Sequence, residues 1–569
     1  MELALPDGSG VRGEAGPGTP SGGLGKTAGV YGDHGWSWLD AAWAHERATR
    51  RARQLEEAGQ PLEPLEPLDE DVGNIAIIQD NGDLVVPSNL FDLRGKGVRF
   101  SPNANGGYDI VPADTTFRNQ LGSRLALADD DTAAFTVPFT MPFFGRDQAA
   151  AYVNSDGNIT FEESDVETTP RNVTRFLAGP PRIAAFFSDL DPSAGGAVFV
   201  NPTPDAFVVT YCYVRGFESQ RSLTAQAVLL PSGAIEVKFG DNMNLLDAVV
   251  GLSPGRTTSY AVVDLSAAPA AGGSAAVGER FAQSVELDTV AVARRFLATH
   301  PDAFDQLVIW ADQRVVIDAF AYEMTIKNDI RGLGIEQFDE SSRYGASGRL
   351  SSVVVMDNLG KYPDDPLQKF LGENNTVSVV GQETGHRWLV FFRFRDPAGG
   401  TSNKLLGRDT AHWGFFVDSD GSVMEGNDIE EVSPGSFRTV GAVNRYSLMD
   451  QYGMGLVGES DVPPLYYVES PTNITPPVVG DDAEPQIGVT FGGTRRDVPL
   501  ADIIAVMGRR QPSAASSPRL HHQAFIYVVG RGRQADPSQV GKLDRIRVAW
   551  EDFYARAVDG RGRADTRLR

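Results

Sequence analysis

Two kinds of hydrophobic periodicity divide this chain. From about residue 72 to residue 265, apolar and polar positions alternate in short runs, the period of half-buried strands. Candidate strands are Phe135 to Val137, Ala151 to Val153, Ile159 to Phe161, Ala184 to Phe187, Val198 to Val200, Phe207 to Tyr213, Ala225 to Leu230 and Ile235 to Phe239. Turn residues such as Asn154-Ser155-Asp156-Gly157-Asn158 and Pro231-Ser232-Gly233 separate them. Near the start of this region, Ile75 to Ile78 and Leu84 to Val86 flank Asn81-Gly82-Asp83, which predicts a hairpin. Short strands punctuated this regularly predict a β-sandwich over 72–265.

Residues 266–282 are rich in Ala, Gly and Ser and predict a linker. Beyond it, over 283–569, the pattern is mixed and predicts an α/β (α+β) domain. Thr289 to His300, Leu500 to Met507 and Ser538 to Ala557 carry helical spacing. Leu307 to Ala311, Ala319 to Ile326 and Val353 to Met356 read as strands. Residues 1–70 form an N-terminal extension. Its first 35 residues are predicted disordered, and the Pro-Leu-Glu repeat from Pro61 to Pro67 is a stiff linker. Between them Trp38 to Gly59 predicts a helix, with Leu39, Ala42, Trp43 and Leu55 as an apolar stripe. Arg47, Arg50, Arg51 and Arg53 on it are a basic docking surface or, more ordinarily, a solvated face.

Charge narrows the partners. The 569 residues carry a formal net charge of −24, which repels nucleic acid and anionic membranes. No run of 18 apolar residues exists to span a bilayer. Met1 to Lys26 lacks an apolar core, so the sequence shows no signal peptide. The single cysteine, Cys212, forms no intramolecular disulfide and is expected to be a small buried hydrophobe on a strand.

One motif carries chemistry. Gln382-Glu383-Thr384-Gly385-His386 departs from H-E-x-x-H by its first residue. On a helix, Gln382 and His386 face the same way, but a neutral amide is a poor zinc ligand. Other donors are therefore needed, and the chain has only seven histidines. His412 is the natural second donor. Asp409, three residues earlier, offers a carboxylate from the same turn, and Glu425 is another candidate. The expected site is a zinc ion held by His386, His412 and Asp409, with Glu383 as general base toward a water in the open position. The competing expectation is a satisfied polar cluster on a buried helix, with Arg387 or Arg408 pairing with Glu383 and His412 an ordinary core histidine. Asp418-Ser419-Asp420-Gly421-Ser422, followed by Glu425, is similar to the first half of a calcium loop. Ile429 stands where such a loop needs its bidentate glutamate, so the choice lies between calcium and a plain polar turn.

Several ordered segments add a resemblance. Pro142-Phe143-Phe144-Gly145, Tyr152 to Phe161, Gly179 to Ala184, Ser188 to Pro192 and Gly195-Gly196 resemble the nidogen-type extracellular module of bacterial multidomain proteins. The likeness covers roughly 130–255. It implies a sandwich and an extracellular or cell-surface location, and it does not imply catalysis. Gln382 to Trp388, Leu405 to Trp413, Val423 to Asn427 and Tyr446 to Leu456 resemble an uncharacterised group of bacterial zincin-like proteins over about 300–565. That likeness implies a mixed α/β metallopeptidase domain. In it, Tyr446-Ser447-Leu448-Met449 is similar to the methionine turn beneath a catalytic metal, although Met449 taken alone is a core residue. Two functions follow as expectations. One is a secreted metal-dependent peptidase acting on a matrix or cell-surface protein or peptide. The other is a non-catalytic recognition or adhesion protein that keeps the zincin-like half as a scaffold.

Overall fold

The computed structural model describes residues 37–60, 69–245, 247–316, 319–478 and 480–568. The expected disordered N-terminus and the Pro61–Pro67 linker lie outside them. Strand accounts for 36% of the chain and helix for 18%, so the protein is mostly β. The described residues form two compact units, Pro87–Val285 and a second unit that joins 37–86 to 286–568.

The first unit is built from two sheets. One has seven strands in the order Tyr260–Val262, Ala276–Phe281, Ala248–Ser253, Arg182–Phe187, Asn158–Thr160, Arg146–Asn154 and Thr132–Phe143. The other runs through Tyr108–Pro112, Gly97–Pro102, Ile235–Phe239, Ser222–Leu229, Ala206–Gly216 and Ala197–Thr203. Period-two alternation decides which side chains meet. On Ala206–Gly216, Phe207, Val209 and Tyr211 enter the core shared with Val153, Ile159 and Phe186 of the other sheet. Ala206 and Val208 face the other way. The segment expected to be a linker contributes the strand Ala276–Phe281, paired with Ala248–Ser253. Cys212 is buried on its strand.

Ile75–Gln79 does not form the expected hairpin with Val85–Val86. It pairs in parallel with Leu520–Val529 of the second unit, while Val85–Val86 pairs with Glu286–Leu287. Its side chains explain the choice: Ile75, Ala76, Ile77 and Ile78 are all buried, which suits a strand covered on both faces. The second unit's main sheet runs Glu70–Val72, Ile75–Gln79, Leu520–Val529, Gln306–Ala311, Ser352–Asn358 and Tyr322–Thr325. The middle four strands are parallel, and the outer strand Tyr322–Thr325 is antiparallel. Ile77, Val308, Val354, Phe525 and Tyr527 bury one face of the sheet in the core that also takes up Val377 and Val380 of the helix Thr376–Gly385. Leu543, Ile546 and Trp550 of the helix Pro537–Ala557 fill the same core. Val417–Asp418, Asn427–Ser433, Ser436–Ala442, Thr490–Val498 and Leu465–Thr475 close a small separate barrel around Phe415, Phe437 and Phe491.

Candidate functional site

The helix Thr376–Gly385 starts at Asn375, whose side chain accepts from the Ser378 amide while Ser378 bonds back to the Asn375 amide. Every residue of the helix is buried. Its last turn is held from three sides. Gln306 Nε2 donates to the Thr384 carbonyl at 3.1 Å. The Tyr446 hydroxyl donates to the Gly381 carbonyl at 2.6 Å. Gly385 leaves no room for a side chain, because a Cβ there would lie 2.5 Å from the Met424 sulfur. The methionine sulfur that packs on the motif is thus Met424. Met449 is buried in the main core, two residues after Ser447, which caps the helix Leu448–Met454.

Gln382, Glu383, His386 and His412 are all essentially inaccessible, at 1% exposure or less. The structure brings His386 and His412 together, with ring centroids 4.7 Å apart and planes near perpendicular. Each ring is oriented through Nδ1: that of His386 lies 3.0 Å from the Leu389 carbonyl and that of His412 2.8 Å from the Arg408 carbonyl. A carbonyl only accepts, so both Nδ1 atoms carry the proton, and at His412 the donors around Nε2 make that nitrogen the acceptor.

His412 Nε2 receives two donors from the chain. Gln382 Nε2 lies 3.2 Å away and Arg408 Nη2 also 3.2 Å away. The amide of Gln382 additionally donates to Glu425 Oε1 at 3.3 Å. Arg408 reaches Glu425 Oε1 at 2.6 Å and Oε2 at 3.2 Å, and Asp409 Oδ2 at 2.8 Å. The Glu425 carboxylate lies 3.9 Å from His412 Nε2. Asp409 is tied to the guanidinium. Burial pushes the Asp409 carboxyl above its usual range, the Arg408 charge opposes this, and Glu425 adds to it. Asp482 is raised by burial and then by the charge of Asp409. Three carboxylates thus surround one guanidinium. Glu383, on the same helix, is buried, and its charge contributes after desolvation to the raised pKa of Tyr362.

Sequence reasoning placed His386, His412, Asp409 and Glu383 in one neighbourhood with Glu425 as a further candidate, and it offered Arg408 only as a partner for Glu383, whereas Arg408 bonds to Glu425, Asp409 and His412. The available signal was its position four residues before His412, with Asp409 beside it. The Asp418 turn does not wrap a common centre. Asp418 Oδ1 accepts from the amide of Ile429 at 3.0 Å, and Glu425 points to Arg408 instead. Burial raises the Asp418 pKa to about 6. No group of three or more His, Cys, Asp or Glu among the described residues is placed to hold a metal ion.

The first unit has its own buried polar centre, around Asn154 to Asn158. Asn154 Nδ2 bonds to Asn158 Oδ1 at 3.1 Å, and the Tyr211 hydroxyl sits 3.0 Å from the carbonyls of both. Arg182, fully buried, donates to Asn158 Oδ1 at 2.8 Å and pairs with Asp165. Arg171 pairs with Asp156 at 2.6 Å, and Arg175 with Asp165 at 2.6 Å. Burial works against the Asp165 charge, yet Arg182 and Arg175 hold its pKa below the usual value. At Asp156 burial prevails over Arg171 and the pKa rises. A turn that reads as solvent-facing is therefore locked inside by ion pairs.

A family model described as NIDO related matches residues 107–286, the span that contains this centre and every strand named around it except Gly97–Pro102. This region is a nidogen-like domain. No curated protein and no solved structure matches the chain.

Proposed function

We propose that the chain is a non-catalytic extracellular recognition protein, with the nidogen-like sandwich as its binding module and the second unit as a zincin-like scaffold. One observation carries the reading. The guanidinium of Arg408 lies 2.6 Å from Glu425 and 3.2 Å from His412 Nε2, so the positive charge at the histidine pair belongs to the chain itself. The residues as arranged do not fit zinc. The acceptor nitrogen of His412 is already met by Gln382 and Arg408, and the Asp409 carboxylate is paired with Arg408. A zincin-like layout is supported by the helix bearing Glu383 and His386 packing beside the antiparallel outer strand Tyr322–Thr325. The partner is proposed to be a matrix or cell-surface protein or peptide. The charge of −24 disfavours nucleic acid, and no described helix is long and apolar enough to cross a membrane.

A second reading, a secreted zinc peptidase, is favoured by the two imidazoles. Both are fixed through Nδ1 to a backbone carbonyl, the manner in which metal-ligating histidines are oriented. On that reading His386, His412 and either Asp409 or Glu425 would hold the ion, and Glu383 would take the proton from the attacking water.

Elemental analysis of the purified full chain, paired with a casein-cleavage assay, separates the two. The first reading expects well under one equivalent of zinc or calcium and no cleavage, with or without added zinc. One equivalent of zinc that is lost in His412→Ala, with cleavage lost in Glu383→Ala, establishes the peptidase instead.

A further inference from the structure

The carboxyl ends of three parallel strands, Gln306–Ala311, Ser352–Asn358 and Leu520–Val529, lie along one edge of the second unit's sheet. Such an edge is where open α/β sheets place ligands, because the loops leaving the strands diverge there. An open cleft of about 210 Å³ occupies this position and is bordered by the start of the helix Pro537–Ala557. That volume is smaller than a drug-sized pocket, so its occupant is small.

We propose that this cleft binds a neutral polyhydroxylated ligand of the carbohydrate class. The proposal requires neither reading of the histidine cluster. Its first support is the set of polar groups that line the cleft without being spent on the protein. Tyr527 is 2% exposed, yet it lines the cleft, and among the described residues no protein group hydrogen-bonds its hydroxyl. The side-chain amides of Gln534 and Gln539 likewise make no hydrogen bond to described residues. Asn358 uses only its carbonyl oxygen, which accepts from the Gly360 amide at 2.7 Å, so its amide hydrogens stay available. Carboxamides and a phenol both donate and accept, as sugar hydroxyls do.

The second support is charge. Asp312 accepts from the Gly530 amide at 3.0 Å and pairs with Arg533 at 3.1 Å, which neutralises the one cation of the lining. The helix start is closed by its own Asp536, whose carboxylate accepts from the Ser538 amide at 2.8 Å. A phosphate or nucleotide would meet two carboxylates and a cation already engaged. A neutral polyol meets only matching donors and acceptors.

Ligand-observed NMR of the full chain against a panel of neutral hexose and N-acetylhexosamine mono- and disaccharides tests this. At least one member is expected to bind. Tyr527→Phe, which removes the hydroxyl and keeps the buried ring, should weaken it about fivefold or more, as should Gln539→Leu. Both variants are to retain the parent's melting temperature within a few degrees, so that lost binding is not lost folding. Absence of binding by every saccharide overturns the proposal, as does binding that neither substitution changes. A sugar phosphate that binds through the same residues while the neutral sugars do not overturns it as well.

Discussion

Arg408 and Glu425 are joined by two hydrogen bonds, Nη2 to Oε1 at 2.6 Å and Nε to Oε2 at 3.2 Å. Their side chains are only 13% and 4% exposed. The backbone around them is unusual. Asp409, Thr410 and Glu425 all have positive φ, at 56°, 53° and 59°. For a β-branched residue such as Thr410 that conformation is costly, and it persists only where the surroundings enforce it. The ion pair is the evident enforcement. Arg408→Met leaves a buried carboxylate without its cation and should cost about 3–5 kcal/mol. Glu425→Gln should cost a comparable amount. The double variant Arg408→Met/Glu425→Gln removes the charge imbalance and should recover most of the loss. Urea unfolding of the four proteins gives the coupling. Additive single effects would mean that the pair does not hold the cluster.

A lateral row of polar side chains ties the motif helix to the sheet. Gln523 Nε2 donates to Gln306 Oε1 at 2.7 Å, and Gln306 Nε2 donates to Ser352 Oγ at 2.9 Å and to the Thr384 carbonyl. Trp550 Nε1 closes the row on Gln523 Oε1 at 2.6 Å. Gln306→Leu is nearly isosteric but strands several buried polar partners. It should destabilise the chain by about 1–3 kcal/mol. Tyr446→Phe loses the bond to the Gly381 carbonyl and the hydroxyl's interaction with Thr384, and should cost less, about 1 kcal/mol. Denaturant midpoints rank the two, and the reverse order would count against the row as the main tether.

In the first unit, Gly157 sits at the centre of the buried turn with φ at +69°, and a Cβ there would fall 2.0 Å from the Phe186 carbonyl oxygen. Gly157→Ala combines that clash with backbone strain and should cost about 2–4 kcal/mol. Limited proteolysis followed by mass mapping should then show new cleavage within residues 87–285. A protease pattern identical to the parent's would show that the turn has slack not evident from its packing.

The alternating strands were legible because period two is a local property. Phe207 to Tyr213 and Ile235 to Phe239 fall inside Ala206–Gly216 and on Ile235–Phe239. Leu500–Met507 has the expected boundaries, and Pro537–Ala557 differs by one residue at its start. Partnership was not legible. Ile75 to Ile78 looks like half of a hairpin because Asn81-Gly82 follows it, yet its strand mate is some 450 residues away at Phe525. At the histidine cluster the sequence revealed which donors exist and not where the cation comes from. Arg408 binds Glu425 across a loop whose left-handed residues have no sequence signature, since Asp409, Thr410 and Glu425 are not glycines. The buried turn at Asn154 to Asn158 was misleading for the opposite reason. Its composition is that of a solvent-facing turn, and three arginines from elsewhere in the unit, Arg171, Arg175 and Arg182, offset part of its cost of burial.

Glu323, fully buried on the outer strand Tyr322–Thr325, supplies a prediction in pH. Burial raises its pKa from 4.5 to about 8, against the hydrogen bond from Thr325 and the charge of Arg387. In the unfolded chain the carboxyl ionises near its ordinary value, while in the folded chain it keeps its proton until about pH 8. Between those values the folded state binds more protons, so stability falls as pH rises. His521 works in the other direction. Burial lowers its pKa to about 4, so it adds stability as pH rises from there to 6.5 and nothing further above. Asp450 and Asp418, raised to about 6, have finished their own contribution by then. Glu279, raised by burial to about 7, still titrates between pH 6.5 and 8, so Glu323 is read there from the difference between the parent and its variant, and one proton over that span amounts to about 2 kcal/mol. Glu323→Gln keeps the shape and cannot titrate. Urea unfolding across this window should show stability falling in the parent and a flatter profile in Glu323→Gln, the two diverging toward pH 8. Parallel profiles would mean that Glu323 is already ionised in the fold, with Arg387 as its full counter-charge.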